Sequence, residues 1–167
     1  MDEVLIAYAT KHGSTHEVAE FVAAHLADVG VEAHTLAAGS VRSLDEYRAV
    51  VLGAPLYMGR WHHDARAFLR RFGSELAARP FAAFALGPVE DRPEQWEGAR
   101  EQLFKALAHV QGVEPVTVDV IGGAIVPETL HFPFSHVPAG DLRDWDSIRE
   151  WTDRLPDALG LGVLVSL

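Results

Sequence analysis

The residues best suited to chemistry lie in one stretch, Tyr8 to Glu20, which reads YATKHGSTHEVAE and follows the apolar run Val4-Leu5-Ile6-Ala7. Thr10, Ser14 and Thr15 bring hydroxyl groups, and Gly13 lets a ligand approach the backbone closely. Helical spacing begins near Ser14, so the first-turn N–H groups and the positive end of the helix dipole point into the loop Thr10-Lys11-His12-Gly13-Ser14-Thr15. That combination is an anion site, and a phosphate suits it. Capping the helix would occupy a single hydroxyl, and here there are three.

Such a loop must be held by the elements on either side of it. Val4 to Ala7 reads as a strand buried on both faces, and Val18, Phe21, Val22, His25, Leu26 and Val29 follow at helical spacing until Gly30 stops the helix. The unit then repeats. Val31 to Leu36 reads as a short strand, Ala49 to Ala54 as a buried strand ending at Pro55, and Phe68, Leu69, Phe72 and Leu76 as one face of a helix starting at Asp64. Phe81 to Leu86 is the fourth strand, closed by Gly87-Pro88 and followed by a helix carrying Ala99, Leu103, Leu107 and Val110. Val116 to Ile125 is the fifth strand. After the irregular stretch 126–143, Asp144 caps a last helix that turns Trp145, Ile148, Trp151 and Leu155 inward. Strands alternating with helices imply right-handed crossovers and a doubly wound parallel α/β sheet of five strands. Ligands of such sheets bind beyond the carboxyl ends of the strands, which singles out the loops Thr10 to Thr15, Pro55 to His63 and Gly87 to Gly98.

Composition narrows the function. A length of 167 residues with 49% hydrophobic residues suits one domain spanning 1–167. Fourteen basic against 24 acidic residues give a net charge of -10, which repels nucleic-acid backbones and favours a small molecule or a basic protein as partner. The absence of cysteine removes disulfides, thiol redox chemistry and Cys-ligated metal centres. No run approaches the ~18 apolar residues of a membrane span, so a cytoplasmic location is expected. The apolar end, Leu159 to Leu167, is expected to pack on the domain or on the second copy of a homodimer.

Other phosphate motifs are missing: there is no G-x-x-x-x-G-K-[ST], and no G-x-G-x-x-G follows the first strand. A phosphoacceptor receiver domain would place acidic residues after the first strand and an Asp at the end of the third; Ala9-Thr10 and Ala54-Pro55 stand there instead. The loop TKHGST resembles the phosphate loop of the flavodoxin family, [ST]-x-[ST]-G-x-[ST], with His12 in place of the second hydroxyl residue. The segments GAPLYMGRWHHDARAFLRRF, VIGGAIVPE and DLRDWDSIREWTDRL are similar to the branch that includes menaquinone-dependent protoporphyrinogen oxidase. The resemblance implies a flavodoxin-like doubly wound five-stranded sheet of order 2-1-3-4-5 in a three-layer α/β/α arrangement, with FMN as cofactor.

An isoalloxazine is a flat apolar ring with a polar edge, so it needs apolar or aromatic faces and backbone groups at that edge. Pro55, Leu56, Tyr57, Met58, Gly59, Arg60 and Trp61 supply both, with Tyr57 or Trp61 as the stacking ring, Trp96 as a weaker candidate, and Gly87 and Pro88 facing the pyrimidine edge. His62-His63-Asp64 reads as a helix start rather than a metal site, and no metal is expected. His131 and His136 lie in a loop that reads as packed by its own side chains, with a cover over the flavin as the alternative. Glu90, Asp91, Glu94 and Glu97 form a solvated acidic face or a guide for a basic partner. Three functions follow: a flavoprotein oxidoreductase passing electrons between FMN and a quinone, a porphyrinogen or another small molecule; an electron carrier between redox proteins; and a binding module without FMN. No catalytic residue can be named from the sequence.

Overall fold

The computed structural model describes residues 3–11, 13–125 and 140–161. Five parallel strands form the sheet: β1 (Val4–Tyr8), β2 (Ala33–Ala37), β3 (Ala49–Tyr57), β5 (Phe81–Leu86) and β6 (Thr117–Ile121), in the order β2-β1-β3-β5-β6. A two-residue strand, β4 (Arg60–Trp61), pairs antiparallel with the end of β3. Counting only the parallel strands, the order is the doubly wound 2-1-3-4-5 that the sequence implies.

The central strands β1, β3 and β5 are nearly apolar throughout because both faces are covered, whereas the edge strands β2 and β6 carry His34, Thr35 and Asp119. Val4 and Ile6 of β1, Val51 of β3, and Phe84 and Leu86 of β5 pack against helices α1 (Ser14–Asp28) and α5 (Trp145–Ala158). Leu5, Val50, Leu52, Ala83 and Ala85 point the other way, against α2 (His63–Arg71), the single turn α3 (Gly73–Ala77) and α4 (Pro93–Ala108). Trp61 and Trp151, 1% and 2% exposed, anchor the two cores. Burying a side chain of this size contributes about 1.5–3 kcal/mol.

Several boundaries differ from the sequence reading, each for a physical reason. β2 begins at Ala33 and runs to Ala37, because its register on β1 pairs Val4 with Ala33. β3 continues through Pro55 to Tyr57. Proline is tolerated there because β1 has left the sheet, its pairing with β3 ending at Tyr8 and Gly53, so the missing N–H has one neighbour fewer to serve. The helix after the second loop breaks at Phe72, whose φ of -109° and ψ of 18° lie outside the helical range, and resumes as α3. The fifth parallel strand stops at Ile121; Ala124–Ile125 instead forms β7, antiparallel to β8 (Gly140–Asp141). The Asp144 carboxylate accepts from the Asp146 and Ser147 amides and caps α5 as expected. Leu159 and Leu161, at the start of the apolar end, pack on the α1–α5 face. His131, His136 and residues 162–167 lie outside the described residues. No helix among the described residues is long and apolar enough to cross a membrane.

The order 2-1-3 places the topological switch point between β1 and β3. The loops that follow these two strands flank it at the carboxyl edge of the sheet.

Candidate functional site

The first loop is built from its own backbone. Ala9 donates to the Gly53 carbonyl (2.9 Å), tying the end of β1 to β3. The Thr10 hydroxyl accepts from the Gly13 amide (2.8 Å), and Gly13 turns into the left-handed region at φ 92°. That conformation suits glycine, which has no Cβ to clash. Gly13 is the N-cap of α1, and no side chain among the described residues caps that end. The capping role that Ser14 or Thr15 could have filled is thus not taken by either residue. Thr15 is fully buried and its Oγ1 has no hydrogen-bond partner among the described residues. A buried hydroxyl left unpaired costs about 1–3 kcal/mol, so this one, at the start of a helix, calls for a partner. His12 lies outside the described residues.

Sequence reasoning missed one member of this region. Arg143 has a side chain only 9% exposed and donates bidentately to Asp141 (3.0 and 2.8 Å). The same guanidinium reaches the Ser14 carbonyl and the Glu17 carboxylate, both at 3.3 Å, and lies over the Trp145 ring. It braces the first turn of α1 from outside the loop. The hydrogen bonds from Arg143 hold the Asp141 carboxyl below the usual range, against the smaller opposing effect of burial. Arg143 belongs to the DLRDW segment, but 126 residues separate it from Glu17, so no local pattern announces the contact.

The second loop is a tight hairpin. Leu56 pairs with Trp61 and Tyr57 with Arg60, leaving Met58 and Gly59 as the turn. Both have positive φ, 53° and 77°, the geometry of a type I′ turn. Gly59 adopts it freely, whereas Met58 is the single non-glycine residue with positive φ among those described, a strain of about 1 kcal/mol or more. Strain of this kind gathers at functional sites.

The two aromatic candidates of this loop part company. Tyr57 is 40% exposed, with the Lys11 ammonium 3.3 Å from its ring centroid. Trp61 is buried, and its Nε1 donates to the Ala54 carbonyl (2.9 Å), so its ring serves the core and Tyr57 is the exposed ring of the two. Trp96 is partly buried and donates to Asp91 (2.9 Å).

Pro55 and Leu56 form the base of the hairpin, where the Pro55 carbonyl accepts from His62 (3.0 Å). His62 caps α2 by accepting from the Asp64 amide (3.0 Å), the bland role read from the sequence. Burial lowers its pKa, overriding the opposite pull of Asp64, which suits a neutral imidazole acceptor. Thr10, Lys11, Tyr57, Arg60 and Arg66 line a cavity of about 420 Å³ between the two loops, large enough for a small ligand.

The third loop has less to offer than its sequence promises. Gly87 donates its N–H to the Ile121 carbonyl (2.8 Å), and the Pro88 carbonyl accepts from Gly123 (2.7 Å). The Gly87 amide has no capacity left for a ligand. Of the acidic residues there, Glu90 and Glu94 pair with Arg92 at 2.7 and 3.7 Å. The structure also brings Glu3, Glu32 and His34 together, a grouping of metal-binding residue types that the sequence did not suggest. They lie at the amino end of β1 and β2, away from the switch point.

Comparison with known proteins agrees with this geometry. A family model described as a flavodoxin domain matches residues 5–133. The protoporphyrinogen IX dehydrogenase [quinone] of Escherichia coli strain K12 is 26% identical over 128 residues, covering 74% of this chain and 69% of that one. The flavodoxin of Pseudomonas aeruginosa, solved as a cysteine-to-alanine mutant, is similar with a TM-score of 0.63 and 19% identity over 95% of this chain and 99% of that one. Oxidised flavodoxin 1 of Bacillus cereus aligns with a TM-score of 0.61 and 15% identity over 93% of this chain and 97% of that one.

Proposed function

The chain belongs to the flavodoxin domain family, and from that premise we propose that it is an oxidoreductase passing electrons between bound FMN and a quinone, a porphyrinogen or another small molecule. Family membership implies FMN. The observation that carries the reading is the buried Thr15 hydroxyl at the start of α1, without a partner among the described residues. A phosphate held there would accept hydrogen bonds from that hydroxyl, from Ser14 and from the first-turn amides, and Lys11 would add charge.

FMN supplies the reversible uptake of electrons, and the chain's residues supply position and polarity. Thr10 and Gly13 fix the loop that meets the phosphate. Tyr57 offers the exposed ring for stacking, and Lys11, now over that ring, must share the space with whatever stacks there. The peptide between Met58 and Gly59 is the central one of a two-residue turn and takes no part in the strand ladder, so it can present an N–H or a carbonyl to the ring edge. Pro55, Leu56, Arg60 and the buried Trp61 hold that turn on the end of β3.

Enzyme action on a small molecule is favoured over a carrier role by the cations around the inter-loop cavity and by the similarity to a quinone-dependent dehydrogenase. The acidic residues that would guide a basic protein partner are partly spent on Arg92. The same reading takes residues 1–167 as one cytoplasmic domain. Purified protein should be yellow, and anaerobically reduced protein should be reoxidised by a soluble naphthoquinone with no partner protein present. Reoxidation by a redox protein alone would make it a carrier, and a colourless protein that takes up no FMN would make it a binding module.

A further inference from the structure

Helices α2 and α4 enclose a second cavity beside the site, about 350 Å³ in volume, and its lining is basic. Arg60, Arg66 and Arg70 enter from the β4–α2 side, Lys105 and His109 from α4, and none of the described lining residues is acidic. In a chain with a net charge of -10, this concentration is not what composition alone produces. The chain has only two lysines, Lys11 and Lys105, and both line one of the two neighbouring cavities.

The two cavities share Arg60, Trp61 and Arg66, and this one also reaches Gly59 at the tip of the second loop. Arg66 has part of its donor set committed, since its Nε bonds the Trp61 carbonyl (2.9 Å) and fixes the guanidinium at the junction. Arg70 and Lys105 are exposed. Guanidinium groups favour planar oxyanions, which they bind bidentately.

We propose that this cavity is an anion subsite that holds the carboxylate groups of the redox substrate while the rest of that molecule lies against the Tyr57–Arg60 hairpin. The proposal rests on the oxidoreductase reading for its place beside the flavin and narrows the substrate to a carboxylate-bearing one. The cavity is smaller than a tetrapyrrole and matches the acidic side chains of one, with Gly59 at the boundary between the held end and the reacting end. Neutral quinones gain nothing from it, so the subsite separates two substrates of one flavin by charge.

The test is equilibrium binding of protoporphyrin IX and of its dimethyl ester, which has the same ring without free carboxylates. Binding is followed by porphyrin fluorescence on the full chain, with FMN affinity measured on the same samples. Arg70→Glu with Lys105→Glu should weaken the free acid about tenfold, since each exposed ion pair is worth at most about 1 kcal/mol. The ester and FMN should bind as before. Arg70→Gln with Lys105→Gln, a milder change that guards against misfolding, should give a smaller loss for the acid alone. Equal losses for acid and ester, or no loss for either, overturn the subsite. A chain that takes up no FMN yet still discriminates acid from ester sinks the oxidoreductase reading and leaves the subsite standing.

Discussion

The loop after β1 and the loop after β3 flank the same switch point and are built in opposite ways. In the first, Thr10 bonds Gly13, Arg143 braces the helix start, and the unpartnered hydroxyl of Thr15 is fully buried. In the second, the turn projects outward, with Met58 78% exposed and Tyr57 showing one side of its ring. The contrast fits the two kinds of recognition proposed for these loops. An anion is held by donors fixed in advance and shielded from water, where each bond is strong and each unmet donor is costly. A flat ring needs an open face and a backbone that can turn, which a strained hairpin tip provides.

Substitutions in each loop sharpen that contrast. The largest effect is expected from Ser14→Asp, which sets a carboxylate against a phosphate at about 4 Å and costs roughly 4 kcal/mol at an effective dielectric near 20. Titration of the apoprotein should show FMN binding nearly abolished while riboflavin is little affected. Thr15→Val comes next and divides two explanations of the buried hydroxyl. If it waits for phosphate, FMN binding weakens by about 1.5–3 kcal/mol, the worth of a hydrogen bond to a charged group, while the apoprotein melts at the same temperature or higher. A lower melting temperature with unchanged FMN affinity would make Thr15 a structural residue.

In the second loop, Tyr57→Ala should weaken FMN by about 1 to 3 kcal/mol, by analogy with base stacking on aromatic side chains, and should raise flavin fluorescence in the complex. Trp61→Phe is the companion measurement: it loses the bond to Ala54 and should lower stability before it touches flavin fluorescence. Gly59→Ala places a Cβ at φ 77° and should cost about 1 kcal/mol of stability, read as a lower melting temperature.

The smallest effect concerns the brace. Arg143 holds the Asp141 carboxyl below its usual range, so this contribution is present above the unfolded-state pKa and is lost as pH falls through the lower, folded-state one. Because Asp141 is exposed, it amounts to at most about 1 kcal/mol. The protection factor of the Glu17 amide, which bonds the Gly13 carbonyl, should fall with acid in the wild type once the intrinsic pH dependence of exchange is divided out, and lose that fall in Arg143→Met, with the hairpin tip unaffected by either change.

The sheet was legible because burial on both faces writes continuous apolar runs, and the helices because Val18, Val22 and Leu26 repeat at helical spacing. The geometry of the first loop is local, since Thr10, Gly13 and Thr15 are neighbours in sequence. Less could be read of the aromatic wall. Tyr57 and Trp61 are equivalent by type, and only the antiparallel pairing of β4 on β3, which turns Trp61 toward Ala54, separates them. Gly87 and Pro88 were chosen by position, and their bonds to Ile121 and Gly123 depend on a strand over thirty residues away. Arg143 and the basic cavity were invisible because they assemble from α2, α4 and the segment before α5, which only the fold brings together.

A phosphate site in the first loop is tested most directly by comparing FMN with riboflavin on the wild-type apoprotein. The two ligands share the ring and differ only in the phosphate. FMN is expected to bind at least about a hundredfold more tightly, a margin of roughly 2.7 kcal/mol, and that margin should shrink in Thr15→Val. Equal affinity for the two would contradict the phosphate site and, with it, the meaning given to the unpartnered hydroxyl of Thr15.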